Sequence, residues 1–495
     1  MLPSKSSSAL QRSVQGTLFE YESLNKDIKP FIDRHNSASY QNSTFLPFEI
    51  LSKIFINCLH SDRHQKPQPN VNIAPLLLCR VCQLWRDVAM TVPRLWVDLH
   101  IRLPATSQSP FLYNNLIPSE ELSFIDSWVA NAKPYPPSLR IIKYRIWPKI
   151  LEKSIGFEDF CASQSIRSSR SLELELSKND FRAICASKTP FQNLEYLMMV
   201  GTLEDDGLSS SISLRFPPSP ILRRLYLDCG FSESTQRIIR AFPLAQLTHL
   251  CIEWDINDAQ WLELLEHSPN LQYGIFRLCA RFTLPSIKTT GLVLHNHMRQ
   301  MILMCTTFDG LSTTFEGLLF PLMQSLRLAT PYECQNSSNI TTDGLQIVLR
   351  STPALTELHI QPCLQVSGPA DDSNQTRNSS LFTCVPNLKV FVIDKVNNIF
   401  SSRQIIPFLR SNWLNGGWSS GSRIQVEIVL INHGHFLSSA AAINAIVTYV
   451  DSLSGDDLLE VVLRLENQAH WEWPYPPSSR DMPNRWQETM KFYYV

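Results

Sequence analysis

Residues 222–227 read Leu-Arg-Arg-Leu-Tyr-Leu, a spacing of apolar side chains that can be written L-x-x-L-x-L. Successive side chains of an extended chain point to opposite faces, so Leu225 and Leu227 share one face while Arg224, Tyr226 and Asp228 share the other. Six more stretches fit the template. They carry Leu194, Leu197 and Met199; Leu247, Leu250 and Ile252; Leu271 with Gly274 in place of the second leucine; Met323, Leu326 and Leu328; Leu355, Leu358 and Ile360; and Leu388, Phe391 and Ile393. The intervals are 28, 25 and 24 residues from Leu194 through Leu222 and Leu247 to Leu271, then 32 and 33 from Met323 through Leu355 to Leu388.

Those intervals are irregular leucine-rich-repeat lengths. Helical patterns lie between the strands at 235–242, 258–270, 343–353 and 402–413. A single strand-plus-helix unit is too small to bury its own apolar face, so neighbours are expected to stack, strands concave and helices convex. The expected fold class is α/β: a short N-terminal helical unit followed by an irregular leucine-rich-repeat-like solenoid, an arc or horseshoe. Further turns of it are expected at 171–176, 290–295, 423–430 and 458–465, with a polar insertion at 367–380. Strand parity then predicts an exposed stripe that includes Tyr196, Met198, His249, Glu253, Arg277, Arg327, Glu357 and His359. Arg224, Tyr226 and Tyr273 stand at its centre as candidate contacts for a protein substrate.

Composition narrows the function. The chain has 495 residues, a formal net charge of -1 and a hydrophobic fraction of 44%, which is ordinary for a globular protein. Without a concentrated positive field there is no expectation of a nucleic-acid or anionic-membrane partner. No secretory signal and no run of 18 apolar residues is visible, so a cytoplasmic or nuclear location is expected. Scattered cysteines such as Cys82, Cys185 and Cys251 fall within apolar patterns, which suits small buried side chains in a reducing compartment.

The N-terminal part carries a second signature. In Phe45–Phe55, FLPFEILSKIF, a proline at a helix start precedes the apolar pairs Ile50/Leu51 and Ile54/Phe55, with Cys58/Leu59 beyond. A polar loop follows, then a helical pattern from about Pro75 to Ala89, a helix start at Pro93, and a strand alternation through Val97, Leu99 and Ile101. These residues resemble an F-box in the F-box-like form common in mushroom-forming fungi. The match lies at Leu46, Pro47, Glu49, Ile50, Leu51, Ile54 and Phe55, at Val81, Cys82, Trp85, Arg86 and Ala89, and at Pro93, Leu95 and Trp96. Residues 125–142 are similar to the segment that follows it in those proteins. The insertion Ser61–Asn70 is longer than in the compact F-box.

The resemblance implies that this unit docks a Skp-type adaptor and, through it, the cullin of an SCF ubiquitin ligase. Leu46, Pro47, Glu49, Ile50, Leu51, Ile54, Phe55, Val81, Cys82 and Trp85 are the expected adaptor contacts, with Leu46, Phe55 and Trp85 as anchors. The expected organisation is an N-terminal helix and linker over 1–44, the F-box-like domain over 45–101, a connecting segment over 102–165, the solenoid over 166–470 and a capping tail over 471–495. The alternative is a scaffold that binds the adaptor without ubiquitination of a client.

No catalytic role, cofactor or metal is expected. Motifs for phosphate cradling, a serine nucleophile elbow or a zinc protease are absent from the sequence. Cys58, His60, His64, Cys79 and Cys82 superficially offer zinc ligands. Cys79 and Cys82 sit at helical spacing among apolar neighbours, and packing is the better reading for them.

Overall fold

The computed structural model describes residues 46–59, 69–106, 116–146, 154–175, 189–202, 215–230, 240–279, 293–329 (without 307, 309 and 310), 339–360, 363–365, 384–393, 424–432 and 459–467, together with 181, 184, 185 and 187. The helix expected within 1–44, the loop 61–68, the helical pattern at 402–413, the insertion 367–380 and the tail 471–495 lie outside the described residues. The chain divides into two compact units, Met1–Asp98 with Ala130–Tyr135, and Leu99–Val129 with Pro136–Val495.

In the first unit, helix α1 covers Phe48–Cys58 with Pro47 as its N-cap, and the Pro47 carbonyl accepts from the amides of Ile50 and Leu51. The single helix expected from about Pro75 to Ala89 is instead two, α2 (Leu78–Val81) and α3 (Gln83–Thr91). Cys82 separates them in an extended conformation, φ −159° and ψ 172°. A 3-10 turn at Pro93–Leu95 closes the unit, and the indole N–H of Trp96 donates to the Ala89 carbonyl at 2.9 Å. Leu51, Phe55, Leu78, Val88, Ala89, Leu95 and Trp96 form the buried interior.

The second unit is built on one sheet. Its strands are β1 (Asp98–Thr106), β3 (Ser138–Ile146), β5 (Ser171–Glu175), β6 (Tyr196–Thr202), β7 (Arg224–Gly230), β8 (His249–Ile256), β9 (Tyr273–Leu278), β11 (Gln300–Cys305), β13 (Ser325–Ala329), β15 (Glu357–Ile360), β17 (Val390–Ile393), β18 (Ile424–Asn432) and β19 (Leu459–Asn467), thirteen strands paired in that order. Neighbours from β3 to β19 run parallel. Short pairs stand apart from it: β2 (Leu116–Pro118) with β4 (Ser154–Gly156), β10 (Val293–Leu294) with β12 (Leu318–Leu319), and β14 (Asn339–Thr341) with β16 (Cys363–Gln365). The turn expected at 290–295 therefore pairs outside the main sheet. A main-sheet strand that the template search passed over, β11, follows it; its Met298, Met301 and Leu303 fit the template with methionines in place of leucines.

The expected fold is corrected by this topology. What stands in place of a helical F-box followed by a leucine-rich-repeat solenoid is a parallel α/β fold dominated by one large sheet, with few helices among the described residues. The strand expected through Val97, Leu99 and Ile101 is β1, which opens the sheet, and the sheet takes up β3 from the stretch expected to be a connecting segment. Among the described residues, helices of eight or more residues in this unit are α4 (Ser119–Ala132), α7 (Asp258–His267) and α9 (Thr342–Arg350); α5 (Phe157–Ala162), α6 (Gln164–Arg167) and α8 (Leu311–Phe315) are shorter. The physical reason is that L-x-x-L-x-L reports how a parallel strand buries one face. It carries no information on the segment that leads to the next strand.

Register explains the burial. Leu139, Leu172, Leu197, Leu225, Leu250, Gly274, Met301, Leu326, Leu358 and Phe391 are consecutive partners across ten strands. The leucines, Met301 and Phe391 in that row are essentially inaccessible. Beneath it lie Trp261, Phe276, Phe315 and Phe320, with Trp261 and Phe315 centroids 5.5 Å apart. Helix α7 is fixed by a capping box in which Asn257 and Gln260 satisfy each other's backbone amides.

The strand starts are tied by a repeated device. The Arg223 carbonyl accepts from the amides of both Thr248 and His249, Thr248 from Gln272 and Tyr273, Gln272 from Arg299 and Gln300, Arg299 from Gln324 and Ser325, Gln324 from Thr356 and Glu357, and Thr356 from Lys389 and Val390. One residue per strand thus stands in line along this edge of the sheet.

Candidate functional site

Two surfaces hold the residues singled out from sequence, one in each unit. In the first unit, α1 splits each apolar pair. Leu51 and Phe55 point inward, Phe55 with no exposed surface and its ring 5.0 Å from that of Trp85. Leu46, Ile50 and Ile54 recur every fourth residue and keep 49%, 41% and 39% of their surfaces exposed. One stripe thus makes the core, and the other faces solvent. Val81 on α2 adds 52% exposure, while Phe48, Leu77 and Met90 are also exposed.

The ten expected adaptor contacts therefore separate. Leu46, Pro47, Glu49, Ile50, Ile54 and Val81 are exposed, and Cys82 and Trp85 are half-buried. Leu51 and Phe55 are interior, so Phe55 supports the surface from within and is not an anchor. Glu49 lies in the first turn of α1, where a carboxylate complements the helix dipole. Trp85, packed on Phe55, joins the two sets.

Burial raises the Cys79 thiol above its ordinary pKa against the opposing charge of Arg86, which disfavours the thiolate a metal binds. Among the described residues no group of three or more His, Cys, Asp or Glu side chains is placed to hold a metal; His60 and His64 lie outside them. No described helix is long and apolar enough to cross a membrane.

In the second unit, the sheet face opposite the leucine row carries the expected substrate contacts. Arg224 and Tyr273 are half-buried, as are Tyr196, Asp228 and His249. The expectation of a solvent-facing stripe is corrected at Tyr226, which is only 6% exposed, and also at Met198, Arg327 and His359, which are buried. Parity does turn these side chains away from the leucine row. In-register parallel strands lie about 4.8 Å apart, however, so like positions stand shoulder to shoulder and shield one another. Met198, Tyr226 and Cys251 form a second apolar cluster, with Tyr196, Val200, Tyr273 and Ile275 packed against it.

Polar groups on this face are matched in detail. The Arg224 guanidinium lies 5.7 Å from the Tyr196 ring centroid, and His249 stacks on Tyr273 at 4.4 Å. Arg277 pairs with Asp255 at 2.6 Å, Arg140 with Glu173 at 3.6 Å, and His359 with Glu357 at 2.7 Å. Burial, assisted by the Arg224 charge, lowers His249 from 6.5 to about 4, so its imidazole is neutral at pH 7. Burial also raises Asp228 above its ordinary carboxylate range, opposed by Arg277. A neutral stacked pair beside a cation and a carboxylate can recognise mixed protein side chains. Sequence reasoning missed the pairs Arg140 with Glu173 and His359 with Glu357, because strand register between distant segments brings the first together and local alternation hides the second.

Compared with protein-family models and with curated proteins, the chain matches none.

Proposed function

We propose that this protein is a substrate-receptor subunit of an SCF-type ubiquitin ligase, its helical unit docking a Skp-type adaptor and its sheet unit holding the protein to be modified. The observation that supports this most is the split of the apolar pairs on α1. A helix that already fills its core with Leu51 and Phe55 also presents Ile50 and Ile54 to solvent, with exposed Leu46 just ahead of its N-cap and exposed Val81 in the same unit. Apolar anchors one helical turn apart suit packing against a partner's helices. They fall on the residues that resemble the adaptor-binding F-box.

The receptor performs no covalent chemistry. It holds a client lysine near the conjugating enzyme's thioester, so that transfer becomes effectively intramolecular. Arg224 and Tyr273 contact the client, with Tyr226 as the floor beneath them.

The test is co-purification from cells that express either the native chain or the triple variant Leu46→Ala, Ile50→Ala, Ile54→Ala. The native chain is expected to bring down adaptor and cullin, together with a protein that accumulates when the chain is removed. The triple variant should lose adaptor at least tenfold while its circular dichroism is unchanged. Undiminished adaptor capture by the folded variant would overturn the assignment, and adaptor without cullin or a stabilised client would replace a ligase with a scaffold.

A further inference from the structure

We infer that the strand-start edge of the sheet is a docking surface for an acidic peptide segment, centred on the groove between Arg299 and Lys389. This surface is distinct from the face that carries Tyr226 and does not depend on the ubiquitin-ligase reading. The groove encloses about 330 Å³. Its lining contains two cations, Arg299 and Lys389, and the hydrogen-bonding side chains of Gln324, Thr356 and Asn387, with Leu322 and Ala354 as the apolar part; no carboxylate lines it. Arg299, Gln324, Asn387 and Lys389 are exposed.

The groove belongs to a longer pattern. Along the line of shared carbonyls from β7 to β17 the residues are Arg223, Thr248, Gln272, Arg299, Gln324, Thr356 and Lys389. The same bonding runs back to Glu195, whose carbonyl accepts from Arg223 and Arg224, and to Arg170, whose guanidinium pairs with the Glu195 carboxylate at 2.9 Å; from Arg223 onward every third residue is a cation and those between are neutral. With strands about 4.8 Å apart, successive cations stand roughly 14 Å from each other, the reach of about four residues of extended chain. The backbone of the line is fixed by hydrogen bonds at each step, so binding has only the side chains left to order.

That spacing selects the partner. A nucleic-acid strand carries a charge about every 3.4 Å along its axis, and three cations over roughly 29 Å would leave most of them unmatched. A peptide with an acidic side chain every fourth residue matches one to one. Its remaining polar groups meet the hydroxyl and amide side chains in between. The bonded Arg240 and Glu263 pair flanks the Arg223 end, in a second groove of about 440 Å³, and is locally neutral.

Fluorescence anisotropy on the full chain tests this with a labelled twelve-residue Gly/Ser peptide carrying glutamate at every fourth position, and with its lysine counterpart. The glutamate peptide is expected to bind, to weaken as salt is raised from 50 to 300 mM, and to lose at least tenfold in affinity to the double variant Arg299→Ala, Lys389→Ala. A phosphoserine version should bind more tightly than the glutamate one. Both substituted side chains are exposed, so the fold is retained, and the circular dichroism of the variant checks it. Equal binding by the double variant, equal binding of the lysine peptide, or no binding of either peptide to the native chain would each overturn the proposal.

Discussion

Phe55 and its neighbour Ile54 show how much one position decides. Phe55 is fully buried against Trp85, and truncating a buried phenylalanine costs about 3–5 kcal/mol. Ile54 is exposed, and its loss should change stability by about 0.5 kcal/mol or less. Hydrogen exchange on the first unit should therefore show Phe55→Ala opening it and Ile54→Ala leaving it closed, whereas adaptor capture should fall for both. His249 gives a second contrast. Its folded pKa is about 4 against an ordinary 6.5, so below pH 6.5 the unfolded chain takes up a proton that the folded chain refuses. Its contribution to stability is full above pH 6.5 and is lost as the pH falls toward 4. Asp228, raised by burial, acts in the opposite direction, so the readout is a difference between proteins. Denaturation midpoints for the native chain and for His249→Phe should converge as the pH drops through that window; parallel curves would refute the assignment.

At the scale of elements, sequence pattern was a good guide wherever one face alone is buried. The spacing at Leu222, Leu225 and Leu227 located β7, and the same template located β6, β8, β9, β13, β15 and β17. Helices α1 and α7 were visible in periodicity, whereas the break at Cys82 was not, because apolar spacing runs through it unaltered. The candidate contacts were legible as positions on a face but not as exposed or buried: Tyr226 and Arg224 share parity, and only the packing of adjacent strands separates them. Gly274 is the informative exception to the template. A Cβ there would come within 2.5 Å of the Phe276 ring, which is itself fully buried. The glycine makes room for an aromatic side chain two residues along the same strand. Gly274→Leu, which restores the consensus, should therefore destabilise the second unit by about 1–3 kcal/mol through overpacking. Chemical denaturation reads this directly, and relief by Phe276→Leu in the same chain would establish the cause.

Across the whole molecule, the fold class was the part that sequence misjudged. The template implied uniform strand-plus-helix units after a separate helical domain. The sheet instead begins at β1, the strand that the alternation through Val97, Leu99 and Ile101 anticipated, and takes in β3 from the stretch expected to be a connection. The paired row follows the template closely: Leu197, Leu225, Leu250, Gly274, Leu326, Leu358 and Phe391 are each the fourth template position of their stretch, whereas Leu139 and Met301 lie in strands outside the template matches.

The shared carbonyls at the strand starts have a consequence for how this chain can change in length. Template positions recur at separations from 24 to 33 residues, yet the junction at each strand start keeps the same bonding from β7 to β17. Growth and loss of sequence are thus confined to the far ends of the strands. One residue inserted between Thr248 and His249 would break the pair of bonds to Arg223 and turn every later side chain of β8 to the opposite face. Limited proteolysis should find that variant cut within β8. A four-residue Gly/Ser insertion at 285, beyond the far end of β9, should leave the protein as resistant as the native chain. Of the two ends of the sheet, one is a fixed ruler and the other is where novelty can be added at little risk to the fold.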